Sequence, residues 1–281
     1  QTTGDAAIGV IGQSVGGGGG VGLYALGVVE GVASSVVQTL GGSEGGTNDA
    51  GVLALTTSGA ISTKGRFASG VVGQVIGGGG GYGAFVAPFG GITADSVEFV
   101  LGSTGGSGGN ASVLSPSPVS SWTVNSGSIS TTGVLSNGLL ALAIGGGGGL
   151  SGFVNDGAKI ATFTSATLGS TAGASGNGSI VGLRNYSSIS TSGAGAIGLL
   201  AQSIGGGGGA VQAYGLTGGG SVTLGASPGL GQGADDGESV NINSYGAIQT
   251  RGTNAHGLVA QSIGGGGGLY QGFDGSGAVL A

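Results

Sequence analysis

Five times in this chain an apolar residue is followed by five consecutive glycines, at 16–20, 77–81, 145–149, 205–209 and 264–268. The first glycines of successive runs lie 61, 68, 60 and 59 residues apart. Such spacing marks one structural unit used repeatedly, in which each copy buries its apolar face against the next. It argues for an array and against a single globular core built around one pocket.

Upstream of each run the same ungapped pattern recurs: Ile-x-Thr-x-Gly, four variable residues, Gly, two apolar residues, a small residue, usually Gln, then x and Ile or Val. In the fourth copy these are Ile189, Thr191, Gly193, Gly198, Leu199, Leu200, Ala201, Gln202 and Ile204. The fifth has Ile248, Thr250, Gly252, Gly257, Leu258, Val259, Ala260, Gln261 and Ile263. Short β-branched segments of period two, each closed by glycine, read as strands that turn a corner every few residues. A further alternating pair precedes the pattern at Leu53/Leu55, Trp122/Val124, Val181/Leu183 and Val240/Ile242. A third strand-like piece ends in Leu-Gly at Leu40-Gly41, Leu101-Gly102, Leu168-Gly169 and Leu224-Gly225. All four prolines, Pro88, Pro116, Pro118 and Pro228, fall outside this frame, as strands that must donate ladder hydrogen bonds require.

The expected fold is therefore all-β, a parallel β-solenoid (β-helix) running as one continuous array over 1–281, in about five repeats of roughly 60 residues. The economical version winds in coils of roughly 20 residues stacked about 4.8 Å apart, two or three to a unit. A single large coil per unit is the alternative. Only then would Gln13, Gln74, Gln202 and Gln261 stack directly into an amide ladder, interrupted once by Leu142. Spacing leaves open which of Val71 and Val72 points inward.

Composition removes the competing readings. Glycine is 76 of 281 residues, but proline is only four and Gly-X-Y phasing is absent, so the chain is not collagen-like. Hydrophobic residues at 38% and a mean hydropathy of +0.41, recurring in register, oppose glycine-rich disorder. Five Lys and Arg against eleven Asp and Glu leave a net charge of −6, without the basic patch a nucleic-acid partner needs. So weakly charged a surface guards poorly against self-association. There is no cysteine for disulfide or thiol chemistry, and no run of eighteen apolar residues to form a transmembrane segment.

Ordering five glycines costs about 5–10 kcal/mol of backbone entropy, so something must hold the runs in place. Each is either a wide flexible corner or a side-chain-free strip, opened by Gly16, Gly77, Gly145, Gly205 and Gly264, that another surface approaches at backbone distance. An aromatic residue follows every run within five positions: Tyr24, Tyr82 with Phe85, Phe153, Tyr214, and Tyr270 with Phe273. These rings would cover the bare backbone, serve as ordinary core, or form an exposed row for stacking on sugars. Together the glycines and rings make the candidate face for self-association or a ligand.

Other chemistry is thin. Asp235, Asp236 and Glu238 form the densest acidic cluster and are a weak candidate for a calcium-like cation, though in no recognised spacing. His256 stands where other copies have Ser69, Asn137 and Ile197, as a tolerated surface residue would. The glycine runs lack the Lys-Ser/Thr of a phosphate loop, and no serine has a histidine partner at a motif spacing. No cofactor and no catalytic residue is expected. One threonine per unit, Thr63, Thr131, Thr191 and Thr250, makes a sparse lattice for binding ice.

The pattern Asn/Ser-x-Gly-x-Ile-x-Thr-x-Gly-x-x-x-x-Gly-Ile/Leu-x-Ala-Gln-Ser-Ile-Gly-Gly-Gly-Gly-Gly, clearest at 185–209 and 244–268, resembles the glycine-rich repeats of bacterial autotransporter passenger domains. Filamentous-haemagglutinin-like surface adhesins share the likeness. The resemblance spans essentially the whole chain in five copies. It implies secretion to the cell surface, a right-handed β-helix, and a structural role in adhesion or biofilm matrix as a stalk or self-assembling fibre. The partners it implies are further copies of the chain, end to end or side by side, and glycans or host surfaces. A polysaccharide-lyase-like enzyme would share the fold but need catalytic residues that the motif does not carry.

Overall fold

A computed structural model describes residues 1–25, 32–33, 36–41, 48–87, 93–94, 96–102, 108–111, 121–155, 159–160, 163–169, 176–216, 220–225, 235–274 and 278–279. The four prolines lie outside these residues. Among the described residues every regular element is a strand, and the strands form six parallel sheets. No helix is long and apolar enough to cross a membrane.

The sheets are most simply named in the order one coil visits them. Sheet A holds Ile61–Thr63, Ile129–Thr131, Ile189–Thr191 and Ile248–Thr250. Sheet B holds Val10–Val15, Val71–Ile76, Leu139–Ile144, Ile197–Ile204 and His256–Ile263. After the glycine run comes sheet C, with Gly19–Ala25, Gly80–Ala87, Gly148–Asn155, Gly208–Tyr214 and Gly267–Phe273. A short sheet D follows, Val32–Ala33, Thr93–Ala94 and Lys159–Ile160. Sheet E holds the Leu-Gly strands Val36–Leu40, Val97–Leu101, Phe163–Leu168 and Ser221–Leu224. Sheet F holds Leu53–Thr57, Ser121–Asn125, Val181–Asn185 and Val240–Ser244.

Every strand pairs with its own counterpart one repeat away. In sheet B, Val71 lies between Val10 and Leu139, and Ile76 between Val15 and Ile144. Each unit of about 60 residues is thus one large coil, which corrects the expectation of two or three coils of 20 residues. The reason lies in sheets B and C. A narrow coil buries one face of each strand, whereas here both faces are buried, so one turn must supply enough chain to cover them.

B and C pack face to face and are in turn covered by F and E. Val72, Ile76, Leu140, Ile144, Leu200 and Ile204 of sheet B meet Tyr82, Val86, Leu150 and Val154 of sheet C. The opposite face of B, with Val71, Val75, Leu139, Ala141 and Leu199, packs on Leu53, Leu55, Val181 and Leu183 of sheet F. The opposite face of C, with Phe85, Phe153 and Val211, packs on Val97, Phe99, Leu101 and Leu168 of sheet E. Both Val71 and Val72 are therefore interior, on opposite faces, and strands such as Leu-Leu-Ala-Leu-Ala-Ile are continuously apolar because no face meets water. In sheet F the third copy is set one residue away from the pairing Trp122/Val124. Ser121 and Thr123 take the register of Leu53 and Leu55, and Trp122 takes that of Ala54 and Gly182.

Because counterparts stack directly, polar residues form ladders. Gln13 donates to Gln74 at 2.7 Å and Gln202 to Gln261 at 2.6 Å. Leu142 occupies the rung between, and it leaves Gln74 Nε2 and Gln202 Oε1 without partners. At the end of sheet F a ladder runs from Thr57 to Asn125 to Asn185, all buried, and on to the exposed Ser244, with bonds of 2.9, 2.8 and 3.1 Å. Thr63, Thr131 and Thr191 are buried too, which removes the ice-binding lattice. Thr63 and Thr131 turn their hydroxyls inward to the carbonyls of Ala68 and Ser136, each at 2.5 Å.

Candidate functional site

The glycine run is the corner between sheets B and C. Within each run the last four glycines have φ between +74° and +151°, in the same order in every copy. Only glycine adopts such a succession without strain. Close approach adds a second constraint. A Cβ on Gly148 would strike the Gly208 carbonyl oxygen of the next coil, and one on Gly81 would strike Gly20 O of the coil before. The corners are stacked backbone on backbone, and glycine allows that contact.

What covers the strip is the chain itself. In four successive coils the second glycine donates its N–H to a carbonyl of the segment that leads into sheet F: Gly78 to Asn48, Gly146 to Gly109, Gly206 to Gly176 and Gly265 to Asp235, at 2.9–3.3 Å. A Cβ on the opening glycine would collide with the same segment, at Asn48 O for Gly16, Asn110 O for Gly77, Asn177 O for Gly145 and Asp236 O for Gly205. The mid-run glycines Gly79, Gly147, Gly207 and Gly266 lie against the Cα atoms of Gly41, Gly102, Gly169 and Gly225. The Leu-Gly motif thus ends sheet E with a residue small enough to lie on the strip. In the inner coils the runs 77–81, 145–149 and 205–209 are buried throughout. They offer no open face to a ligand or a second molecule, which corrects the reading of a strip awaiting an outside surface.

The aromatics after the runs do not form one row. Tyr24, Phe85 and Phe153 share one register position of sheet C, Tyr82 holds another, and Tyr214 pairs with Phe273 and Tyr270 with Val211. Tyr24 is placed by its backbone alone, its side chain lying outside the described residues. Tyr82 is fully buried against Phe67, ring centroids 5.3 Å apart, and donates to Phe67 O at 3.3 Å. Burial pushes its hydroxyl well above the ordinary tyrosine range. Phe153 is buried in a stack with Phe85. Tyr214 is half-buried and Tyr270 is partly exposed in the last coil. An exposed sugar-stacking row at these positions is excluded by the burial of Tyr82 and Phe153.

Rings do cover glycines, though elsewhere. Phe67 fills the space a side chain would take at Gly152, and Phe273 does so at Gly195. Phe67 and Leu135 reach this interior from left-handed backbone, φ 49° and 54°, in the turn between sheets A and B. Their burial offsets the roughly 1–2 kcal/mol that conformation costs a non-glycine residue.

The acidic cluster is structural. Asp235 Oδ1 accepts from Gly176 N at 2.9 Å, while the backbone N–H groups of Asp236 and Glu238 donate to Asn177 Oδ1 and Ser203 Oγ at 3.0 and 2.9 Å. Asp236 closes a ladder in which Asn110 N donates to Asp49 and Asn177 N to Asn110. Among the described residues no three His, Cys, Asp or Glu side chains are placed to hold a metal ion. His256 is an exposed residue opening its sheet B strand, paired with Ile197.

A feature that sequence reasoning missed lies at the bend between sheets F and A. Tyr186 and Tyr245 stack there with centroids 5.2 Å apart and planes within 7°. They are 50% and 71% exposed. The matching residues of the earlier copies are Ser58 and Ser126, so the bend does not require a ring. The signal available was this change of residue type at a position otherwise held by serine. Compared with known proteins, the chain matches no family model, no curated sequence and no solved structure.

Proposed function

We propose that this chain is part of the shaft of an extracellular surface fibre or adhesin, a structural element of adhesion or matrix and not an enzyme. The observation that supports this most directly is the pairing of every sheet with itself from coil to coil. Backbone ladders, amide ladders and the glycine corner all repeat along one axis, so any further coil of the same pattern would be accommodated. The resemblance of the repeat to autotransporter passenger domains adds secretion to the cell surface.

Self-association belongs to the same reading. The first coil exposes Ile11, Val21, Leu23 and Val37, and the last exposes Leu258 and Tyr270. Val10–Val15 and His256–Ile263 are edge strands of sheet B. Apolar side chains beside unpaired strand edges favour another coil, from a longer chain or a second molecule. Negative-stain microscopy at rising concentration, with limited proteolysis in parallel, tests the proposal. Rod-like stacks resistant to cleavage within the sheets are expected; monodisperse monomers at every concentration, cut within sheets B and C, would overturn it.

A further inference from the structure

The bend between sheets F and A differs from the rest of the surface in charge as well as in aromatic content. The four F-to-A segments, 53–65, 121–133, 181–193 and 240–252, contain three of the five basic residues, Lys64, Arg184 and Arg251, and none of the eleven Asp and Glu. In a chain of net charge −6 this edge is the cationic one. Lys64 and Arg251 are exposed at the same point of the coil, one residue beyond sheet A.

The stacked rings of Tyr186 and Tyr245 lie on the same edge before sheet A, in the fourth and fifth coils, with Arg251 in the fifth coil and Lys64 in the second. One coil before Tyr186 the matching residue is the exposed Ser126. Along the same edge sheets F and A expose Asn241, Asn243, Gln249 and Ser130, amides and a hydroxyl suited to hydroxylated ligands. An exposed aromatic pair in an aromatic-poor chain calls for an occupant with an apolar face and a polar rim. A pyranose ring has both, and the cations spaced along the same edge add a preference for carboxylate.

We propose that the F–A edge, from the second coil to the fifth, binds acidic, uronate-containing polysaccharide. Tyr186 and Tyr245 stack on sugar rings, while Arg251 and Lys64 pair with uronate carboxylates. Nucleic acid is the less favoured polyanion, since three cations spread over four coils form no continuous phosphate track. The inference goes beyond the shaft reading, and the two can fail separately: a rod that ignores uronates keeps the first and loses the second.

The test is isothermal titration of the whole chain with sodium polygalacturonate, alginate and hyaluronate. Dextran serves as a neutral pyranose polymer and single-stranded DNA as a polyanion without pyranose. At least one uronate polymer is expected to bind at least tenfold more tightly than dextran or DNA. The double variant Tyr186→Ser/Tyr245→Ser, which installs the residue of the earlier coils and keeps the fold, is expected to lose at least tenfold in affinity at an unchanged thermal midpoint. Lys64→Gln/Arg251→Gln is expected to weaken binding and flatten its salt dependence. Absence of binding to all three uronates, DNA binding as tight as theirs, or uronate affinity indifferent to the serine changes would overturn the proposal.

Discussion

Two of the corners that the coils turn behave in opposite ways. The glycine corner between sheets B and C is the same in all five copies and, in the inner coils, is closed by the chain's own backbone. The bend between sheets F and A holds its Thr57–Asn125–Asn185–Ser244 ladder, yet its outer residue changes from Ser58 and Ser126 to Tyr186 and Tyr245. The invariant corner is a packing device with no surface to offer. The variable one is free to change because the ladder beneath already fixes the turn. In an array, constancy between copies thus points to the interior, and departure from constancy marks a position that the fold leaves free.

The contrast is broken most directly at the glycine corner. Gly148→Ala places a Cβ against Gly208 O at φ +130°, and a loss of about 4 kcal/mol or more in urea unfolding is expected. A loss below about 1 kcal/mol would mean that the corner yields and is not the rigid element described. Next in size is the interrupted amide ladder, which sharpens the comparison by repairing one rung. Leu142→Ala removes a fully buried side chain and should cost about 2–5 kcal/mol. Leu142→Gln loses similar apolar burial but supplies partners to Gln74 Nε2 and Gln202 Oε1, so it should lie within about 1.5 kcal/mol of the parent by thermal unfolding.

Smaller still is the pair that ties the first coil to the second. Asp5 sits at 2.5 Å from Arg66 Nη2 and also accepts from the Arg66 backbone N–H at 2.9 Å. Partial burial works to raise its carboxyl, but the bonds and charge of Arg66 outweigh that and hold it below its ordinary value of 3.8. A lowered folded value means the pair stabilises above pH 3.8, and the contribution is lost as pH falls through the folded value. For a pair still in contact with solvent, Asp5→Asn should cost under about 1 kcal/mol at pH 7, with the difference vanishing in acid denaturation curves. Least of all, Tyr186→Ser/Tyr245→Ser should shift stability by about 0.5 kcal/mol or less, as expected of an exposed position that other coils fill with serine.

Much of the fold could be read from the repeat because residues one period apart are residues one coil apart. The strand-forming pattern, the position of the glycine corner and the amide ladder with its break at Leu142 were all legible in this way. Coil size was not, since a period of about 60 residues fits one wide turn or three narrow ones until the burial of both faces of sheet B is known. The cover on the glycines was hidden for a different reason. It is made by backbone carbonyls of Asn48, Gly109, Gly176 and Asp235, which share a place in the coil but no side-chain chemistry. Tyr186 and Tyr245 occur in only two copies and so leave no periodic trace.

One coil per repeat also sets the mechanics of any shaft built from it. Each repeat of about 60 residues advances the axis by only about one strand spacing, roughly 4.8 Å, so length is gained about three times more slowly per residue than in a 20-residue coil. The extra chain goes into cross-section. Bending rigidity grows as the square of cross-sectional area for a given shape, so a shaft about three times thicker in area resists bending about ninefold more strongly. A molecule wound in this way is suited to standing upright under lateral load more than to reaching far.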